Sequence, residues 1–242
     1  MKVIDVSKHN GPYIDWNKVR ASGVEGVIIR AGYGRYISQK DKYFEQNYAG
    51  AVAAGLHVGS YWYSYADNPA DAKLEASVFL EAIKGKKFDL PVYFDIEEPK
   101  HSKMSKTVCT AMCEAFCSFM EQAGYFVGVY SYDSFFTDNL HDVITLKYSQ
   151  WVARIGSKPK NKCDMWQYSW TEKIDGIVGN VDCNECYVNF PKIIKNSKLN
   201  GYQDTTKYRI EAVKAGLSST EADLLARDAS KLGMTVVKIK EG

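Results

Sequence analysis

Four carboxylates carry the chemistry this sequence can offer. Asp5 closes a short apolar run, Asp95 and Glu97 close another, and Asp182 lies near the end of a third. Residues two apart on a strand face the same side, so Asp95 and Glu97, with Cα atoms roughly 6.5 Å apart, share one site. Like charges that close cannot both ionise freely, and one of the pair keeps its proton to higher pH. A protonated acid beside an ionised one is what cleavage of a glycosidic bond needs, because the leaving oxygen must gain a proton while positive charge builds on the sugar. The preceding Pro91-Val92-Tyr93-Phe94 is otherwise apolar, so an acid pair at its end is costly unless it serves a purpose. The plainer reading is a pair of solvated loop acids capping the next helix. Glu98 is expected to point the other way. Asp5 and Asp182 are weaker signals one by one, since a single acid at a strand end serves equally well as a cap or a salt-bridge partner.

Such a cluster forms only if several strands end on one face. Strand patterns at 2–6, 26–31, 57–65, 90–96 and 125–130 alternate with helical patterns at 15–21, 42–54, 68–84 and 105–123. Asp15 and Asn68-Pro69 open helices, and Gly55, Gly85 and Gly124 close them. Strands at 148–154, 163–168 and 178–183 follow, with no strong helix between the last two. Five βα units and then helix-poor strands predict an α/β fold, an irregular TIM-like barrel whose chemistry sits at the C-terminal ends of its strands. The polar, Gly-containing stretch 196–205 reads as a linker between a barrel over 1–195 and a small module over 206–242. That module has a βαβ-like pattern. A strand at 208–213 precedes a helix opened by the capping box Ser218/Glu221 and carried by Ala222, Leu225, Ala226, Ala229 and Leu232; Gly233 ends it, and a second strand spans 235–239. So short a piece rarely folds alone, and it either braces the barrel or pairs with a second copy.

Aromatic residues make up 13% of the chain, and Tyr outnumbers Phe by 17 to 10. Tyr33, Tyr61, Tyr63, Tyr130, Trp151 and Trp166 lie near strand ends, where they either pack the barrel or stack on sugar rings. Parity puts Tyr61, Tyr63 and Tyr65 on one face and Trp62 on the other. Gln167 is placed to hydrogen-bond a substrate. His9, His57, His101 and His141 are scattered singly without triad spacing and read as ordinary residues. Cys109, Cys113 and Cys117 form one helical stripe and read as core. Cys183 and Cys186 have metal-like spacing, with Cys163 as a third candidate, but no second pair completes a four-ligand set, so neither metal nor cofactor is expected. A formal charge of +2 gives no argument for nucleic acid, and the lack of any run of 18 apolar residues argues against membrane insertion. No apolar leader follows Met1. The expectation is therefore synthesis in the bacterial cytoplasm and action outside the cell after release.

The segments Val3-Ile4-Asp5-Val6-Ser7, Gly26-Val27-Ile28-Ile29-Arg30-Ala31-Gly32-Tyr33-Gly34, Gly59-Ser60-Tyr61-Trp62-Tyr63-Ser64-Tyr65-Ala66 and Phe94-Asp95-Ile96-Glu97 occur in that order. With Trp151-Val152-Ala153, Trp166-Gln167-Tyr168 and Val181-Asp182-Cys183-Asn184, they make residues 1–195 strongly resemble glycoside hydrolase family 25, the Chalaropsis-type lysozymes of phages, bacteria and some fungi. The resemblance implies an irregular barrel of eight strands and five helices. It also implies muramidase activity, the hydrolysis of the β-1,4 bond from N-acetylmuramic acid to N-acetylglucosamine in bacterial peptidoglycan. Glu97 then resembles the general acid, and Asp95 the partner that stabilises developing charge or orients the acetamido group. Asp5 and Asp182 resemble the remaining acids of the site. Release would be of the phage endolysin type. The module at 206–242 resembles half of a sporulation-related repeat, which suggests wall targeting or a homodimer. The alternatives are a non-catalytic glycan-binding barrel, which would not need all four acids, and a glycosidase for another polymer such as chitin.

Overall fold

The fold is taken from a computed structural model that describes residues 1–202 and 218–231. Eight strands close into a barrel in chain order. They are β1 (Lys2–Val6), β2 (Gly26–Tyr33), β3 (His57–Tyr63), β4 (Val92–Asp95), β5 (Val127–Tyr132), β6 (Ser149–Ala153), β7 (Met165–Glu172) and β8 (Val181–Cys186). The first seven run parallel, while β8 is antiparallel to both β7 and β1. The reversal follows from the short connection over 173–180. A parallel return needs a long crossover, whereas a tight loop brings the chain back in the opposite sense. Gly179, at φ 95°, takes a left-handed conformation in that loop, and β8 begins at Val181 rather than at 178.

Five crossovers are helical, as the sequence pattern predicts. Four are filled by α1 (Trp16–Ala21), α2 (Phe44–Ala53), α3 (Pro69–Ala82) and α4 (Lys106–Gln122), and the fifth is shared by the short α5 (Asp133–Asp138) and α6 (Asp142–Lys147). The predicted caps are formed: Asp15 Oδ1 accepts from Lys18 N at 3.1 Å and Asn68 Oδ1 from Asp71 N at 3.0 Å. A further helix, α7 (Phe190–Asn196), follows β8 and buries Phe190 and Ile194 with Val3, Leu90 and Tyr93 in the barrel's inner core.

Strand alternation divides the side chains into two sets. Ile4, Val27, Ile29, Val58, Phe94, Val129, Val152 and Cys183 belong to the outer core shared with the helices. Val3, Ile28, Tyr93, Tyr130, Trp151 and Met165 fill the barrel interior. Gly128 is a consequence of this filling, because a Cβ there would stand 2.5 Å from the Tyr93 ring and 2.6 Å from the Ser149 carbonyl. Trp62 is fully buried and packs on Phe79, opposite in parity to Tyr61 and Tyr63. Cys109, Cys113 and Cys117 are buried along α4. Cys183 lies in the outer core and Cys186 in the inner one, so this pair faces opposite sides of the sheet and cannot converge on one ion.

The packed unit continues into the 196–205 segment read as a linker, as far as Tyr202, the last residue described there. Asn200 is fully buried; its Nδ2 donates to Leu90 O at 2.9 Å and its Oδ1 accepts from Phe126 N at 2.6 Å. Tyr202 donates to Asp89 Oδ1 at 2.7 Å. The chain divides into the units Met1–Asp204 and Thr205–Gly242. In the second unit α8 (Ser219–Lys231) opens with the predicted capping box: Glu221 N donates to Ser218 Oγ at 3.4 Å, and Ser218 N donates to Glu221 Oε2 at 2.9 Å. The strands expected at 208–213 and 235–239, and the stop at Gly233, lie outside the described residues.

Candidate active site

The barrel mouth holds a cavity of about 280 Å³ whose lining includes all four acids, Asp5, Asp95, Glu97 and Asp182. Tyr61, Tyr63, Tyr130, Trp151 and Gln167 line it as well, joined by Ser7, His9, Asn10, Arg30 and Asn180. Two larger surface depressions, of about 490 and 410 Å³, hold charged groups that are already paired, Lys18 with Asp15 in one and Arg154 with Asp133 in the other. Acid chemistry, not volume, singles out the mouth.

Each acid arrives there by strand geometry. Asp5 sits on β1 with interior parity. Asp95 is the last residue of β4, and Glu97 follows in the loop with the same sense. Asp182 is the second residue of β8, at the start of its strand and not near the end as the sequence pattern predicts. It still reaches the mouth because β8 runs backwards, so that its start lies beside the ends of the parallel strands. The antiparallel register sets Asp182 directly across from Asp5.

Like charges directly opposite one another are destabilising unless a proton is shared. Burial pushes the Asp182 carboxyl up to about 8, and the neighbouring charge of Asp5 and the hydrogen bond between the two add to the rise. Burial also lifts Asp5, to about 6, against the opposing hydrogen bonds from Asn184, Gln167 and Asp182. The facing carboxyls therefore hold one proton between them. A polar belt fixes Asp5. Gln167 Nε2 and Asn184 Nδ2 each donate to Asp5 Oδ2 at 2.9 Å. Tyr130 donates to Gln167 Oε1 at 2.8 Å, and Trp151 Nε1 to Asn184 Oδ1 at 2.7 Å. Trp170 Nε1, on a half-exposed ring, also donates to Gln167 Oε1, at 2.9 Å.

Asp95 is 3% exposed, and its Oδ1 has no hydrogen-bond partner. Burial raises its carboxyl well above the ordinary range, the charges of Glu97 and Asp5 raise it further, and Arg30 opposes them. Glu97 is also raised, chiefly by burial, while a hydrogen bond from Tyr132 holds it down. The pair is thus crowded and partly desolvated, the condition under which one acid stays protonated near neutral pH.

Arg30 is the guanidinium among the lining residues, and sequence reasoning missed it as a site residue. Its Nε and Nη2 donate to Asp41 Oδ2 at 2.9 and 2.8 Å. Asp41 is buried and also accepts from Lys8 N and Tyr43 N at 2.9 and 3.1 Å. The available signal was a charged residue of interior parity inside the apolar run Val27-Ile28-Ile29-Arg30-Ala31. His9, read as ordinary, lines the cavity, and burial lowers its pKa. Asn184 was quoted within a motif but given no role.

Two residues expected to bind substrate fall outside this lining. Tyr33 packs edge-on against Tyr65 at 5.8 Å. Trp166 has outward parity; it donates to Arg154 O at 2.7 Å and meets Tyr168 at 5.7 Å. Glu98 is not among the lining residues, yet it accepts from the Tyr63 hydroxyl at 2.7 Å and so orients a lining ring.

A closed α/β barrel with a crowded acid cluster at its mouth defines a carboxylate-dependent hydrolase of the glycosidase class. Residues 4–177 match the model of glycosyl hydrolases family 25, and the chain belongs to that family. The autolytic lysozyme of Clostridium acetobutylicum is 32% identical over 188 residues, which are 76% of this chain and 55% of the relative. The modular autolysin LytC of Streptococcus pneumoniae, solved also in complex with a synthetic peptidoglycan ligand, superposes with a TM-score of 0.68 and 34% identity, over 76% of this chain and 46% of that one. The CTP1L endolysin superposes with a TM-score of 0.69 and 29% identity, over 81% and 69% of the two chains. The chain thus spans about half the length of the autolytic lysozyme and of LytC.

Proposed function

We propose that this protein is a lysozyme-type muramidase that hydrolyses the β-1,4 bond between N-acetylmuramic acid and N-acetylglucosamine in bacterial peptidoglycan. The observation that carries the proposal is the convergence of Asp95 and Glu97 in one buried cavity of a family 25 barrel. Glu97 acts as the general acid. It is the more accessible of the two, and the crowding that raises both carboxyls keeps one proton in the pair for the leaving oxygen. Asp95, with an oxygen aimed at no protein donor and Arg30 favouring its charge, stabilises the positive sugar or holds the substrate's acetamido N–H. Asp5 and Asp182 contribute one shared proton, and the belt of Gln167, Asn184, Tyr130 and Trp151 keeps that pair in register. Tyr61 and Tyr63 supply ring faces for the sugar, with Trp151 buried behind Tyr61 and with Tyr33 and Trp166 outside the pocket.

Digestion of purified peptidoglycan with mass spectrometry of the fragments tests the reaction. New reducing-end muramic acid supports it, whereas reducing-end glucosamine marks a glucosaminidase. Glu97→Gln should lower turnover by roughly 10²- to 10⁴-fold with an unchanged circular dichroism spectrum. Robust turnover by that variant would remove Glu97 from its role. The unit Thr205–Gly242, whose helix α8 exposes Leu224 and Leu225, we assign to wall attachment or self-association. Light scattering behind size exclusion, on the full chain and on residues 1–204, tests self-association: two monomers would exclude it.

A further inference from the structure

Glu75 lies outside the cavity, on the buried face of α3, with no solvent exposure. A carboxyl in such a place is costly unless its oxygens are used. Its Oε1 accepts from Tyr65 N at 2.8 Å, and the Ser64 hydroxyl donates to the same carboxyl. Its Oε2 is buried with no partner. Both of its donors belong to the turn leading out of β3.

That turn is held from the other side by the loop of the catalytic pair. Ser64 N donates to Asp95 O at 2.9 Å. The buried ring of His101 meets Ala66 O through Nε2 at 2.9 Å, and Lys100 Nζ donates to Tyr65 O at 2.8 Å. His101 N in turn donates to Glu98 O at 2.8 Å. The turn thus bridges Glu75 to Asp95 and to the residues that follow Glu97.

We propose that Glu75 is a positioning residue for the glycosidic reaction, holding the 64–66 turn and through it the strand end from which Asp95 and Glu97 project. The proposal rests on the reading that those two acids perform the hydrolysis. Glu75 does this as a neutral acid, since an anion there would leave Oε2 charged against an apolar wall. Burial pushes its carboxyl up to about 7, with Ser64 and Tyr65 opposing. Arg35, from the loop after β2, favours its ionisation and Asp71 on its own helix disfavours it, but those two pair with each other at 3.0 Å. Lys100 is engaged with Asp67 at 2.6 Å, and burial holds His101 towards its neutral form. The α4 face packed on α3 carries Cys109, Met112, Cys113 and Phe116, all uncharged. Ionisation of Glu75 near neutral pH strengthens its bonds from Ser64 and Tyr65 but leaves a buried charge at Oε2 that only entering water can solvate, and that hydration displaces the turn and blunts turnover.

The test uses Glu75→Gln and Glu75→Ala in the full chain, with kcat, KM and Tm followed from pH 4.5 to 9 on purified peptidoglycan. Gln keeps the acceptor and cannot ionise, so E75Q should retain kcat at pH 6 within about twofold and carry its activity to higher pH than wild type. E75A should lower kcat about tenfold with KM nearly unchanged, the signature of displaced catalytic groups. The folded-state pKa is raised, so wild type should lose stability as pH rises from about 4.5 to about 7, and the Tm of E75Q should pull ahead over that interval. Coincident pH profiles and a pH-independent Tm difference for E75Q and wild type would overturn the proposal, even if E75A fails to fold. A wild type that cleaves no peptidoglycan would instead sink the muramidase reading, and the Tm series would still report the state of Glu75.

Discussion

Replacing Asp5 by Asn should stabilise the protein while damaging its chemistry. Asp5 is buried, and its carboxyl is raised from 3.8 to about 6. Asn keeps an oxygen to accept from Gln167 and Asn184, and its amide turns a donor towards Asp182. The polar belt therefore survives, while one negative charge leaves the cluster. Each pKa unit corresponds to about 1.4 kcal/mol, so the shift sets a ceiling of about 3 kcal/mol; because the proton is shared with Asp182, about 2 kcal/mol is expected. For a domain of this size that is roughly 4–8 °C in Tm. The sign follows from the raised folded-state pKa. Wild type loses stability as pH rises from 3.8 through about 6, so the advantage of the Asp5→Asn variant should be small at pH 4 and full above pH 6. Thermal melts followed by circular dichroism at pH 4 and pH 7.5 measure it, with turnover on peptidoglycan expected to fall at least about tenfold alongside. A Tm difference equal at the two pH values, or a less stable variant at pH 7.5, would refute the shared-proton account of Asp5 and Asp182.

Three further outcomes follow from the packing and the site. Asn200→Ala strands Phe126 N and Leu90 O in the interior and places Ala at φ 54°, so urea denaturation should show a loss of about 3–6 kcal/mol. Asn200→Gly relieves the backbone and should recover about 1 kcal/mol of that loss, and equal midpoints for the two variants would discount the backbone contribution. Gly128→Ala drives a methyl group into Tyr93 and the Ser149 carbonyl and should cost about 1–3 kcal/mol, read from the same denaturation curves. Asp95→Asn should leave peptidoglycan binding measurable in a pull-down and cut kcat by roughly 10²-fold or more, whereas near-wild-type turnover would remove Asp95 from the reaction.

The barrel was legible because period-2 and period-3.6 patterns alternate cleanly through Tyr130, and the acid pair because parity alone places Asp95 and Glu97 together. The strand boundaries were read less well. The pattern extends β4 to residue 96, yet the ladder stops at Asp95, since an apolar residue such as Ile96 is buried as readily beside a strand as within it. Asp182 was chosen for the right neighbourhood with the wrong placement on its strand. Direction is a property of the connection before β8, and residue types within β8 do not encode it. Arg30 and Asn184 were overlooked because their roles depend on partners outside their own strands, Asp41 for one and Asp5 with Trp151 for the other. The base segment around Asn200 looked like a linker because its composition is polar, and the burial of those polar groups is a tertiary outcome.

The hydrogen-bonded belt from Trp151 through Asn184, Asp5 and Gln167 to Tyr130 takes one residue from each of five strands. It ties these five of the eight strands together at the barrel mouth, at the level of the acid cluster. Recognition and girth are therefore governed by the same atoms, so a substitution meant to adjust substrate preference at any of these five positions also changes the diameter of the opening felt by the other four.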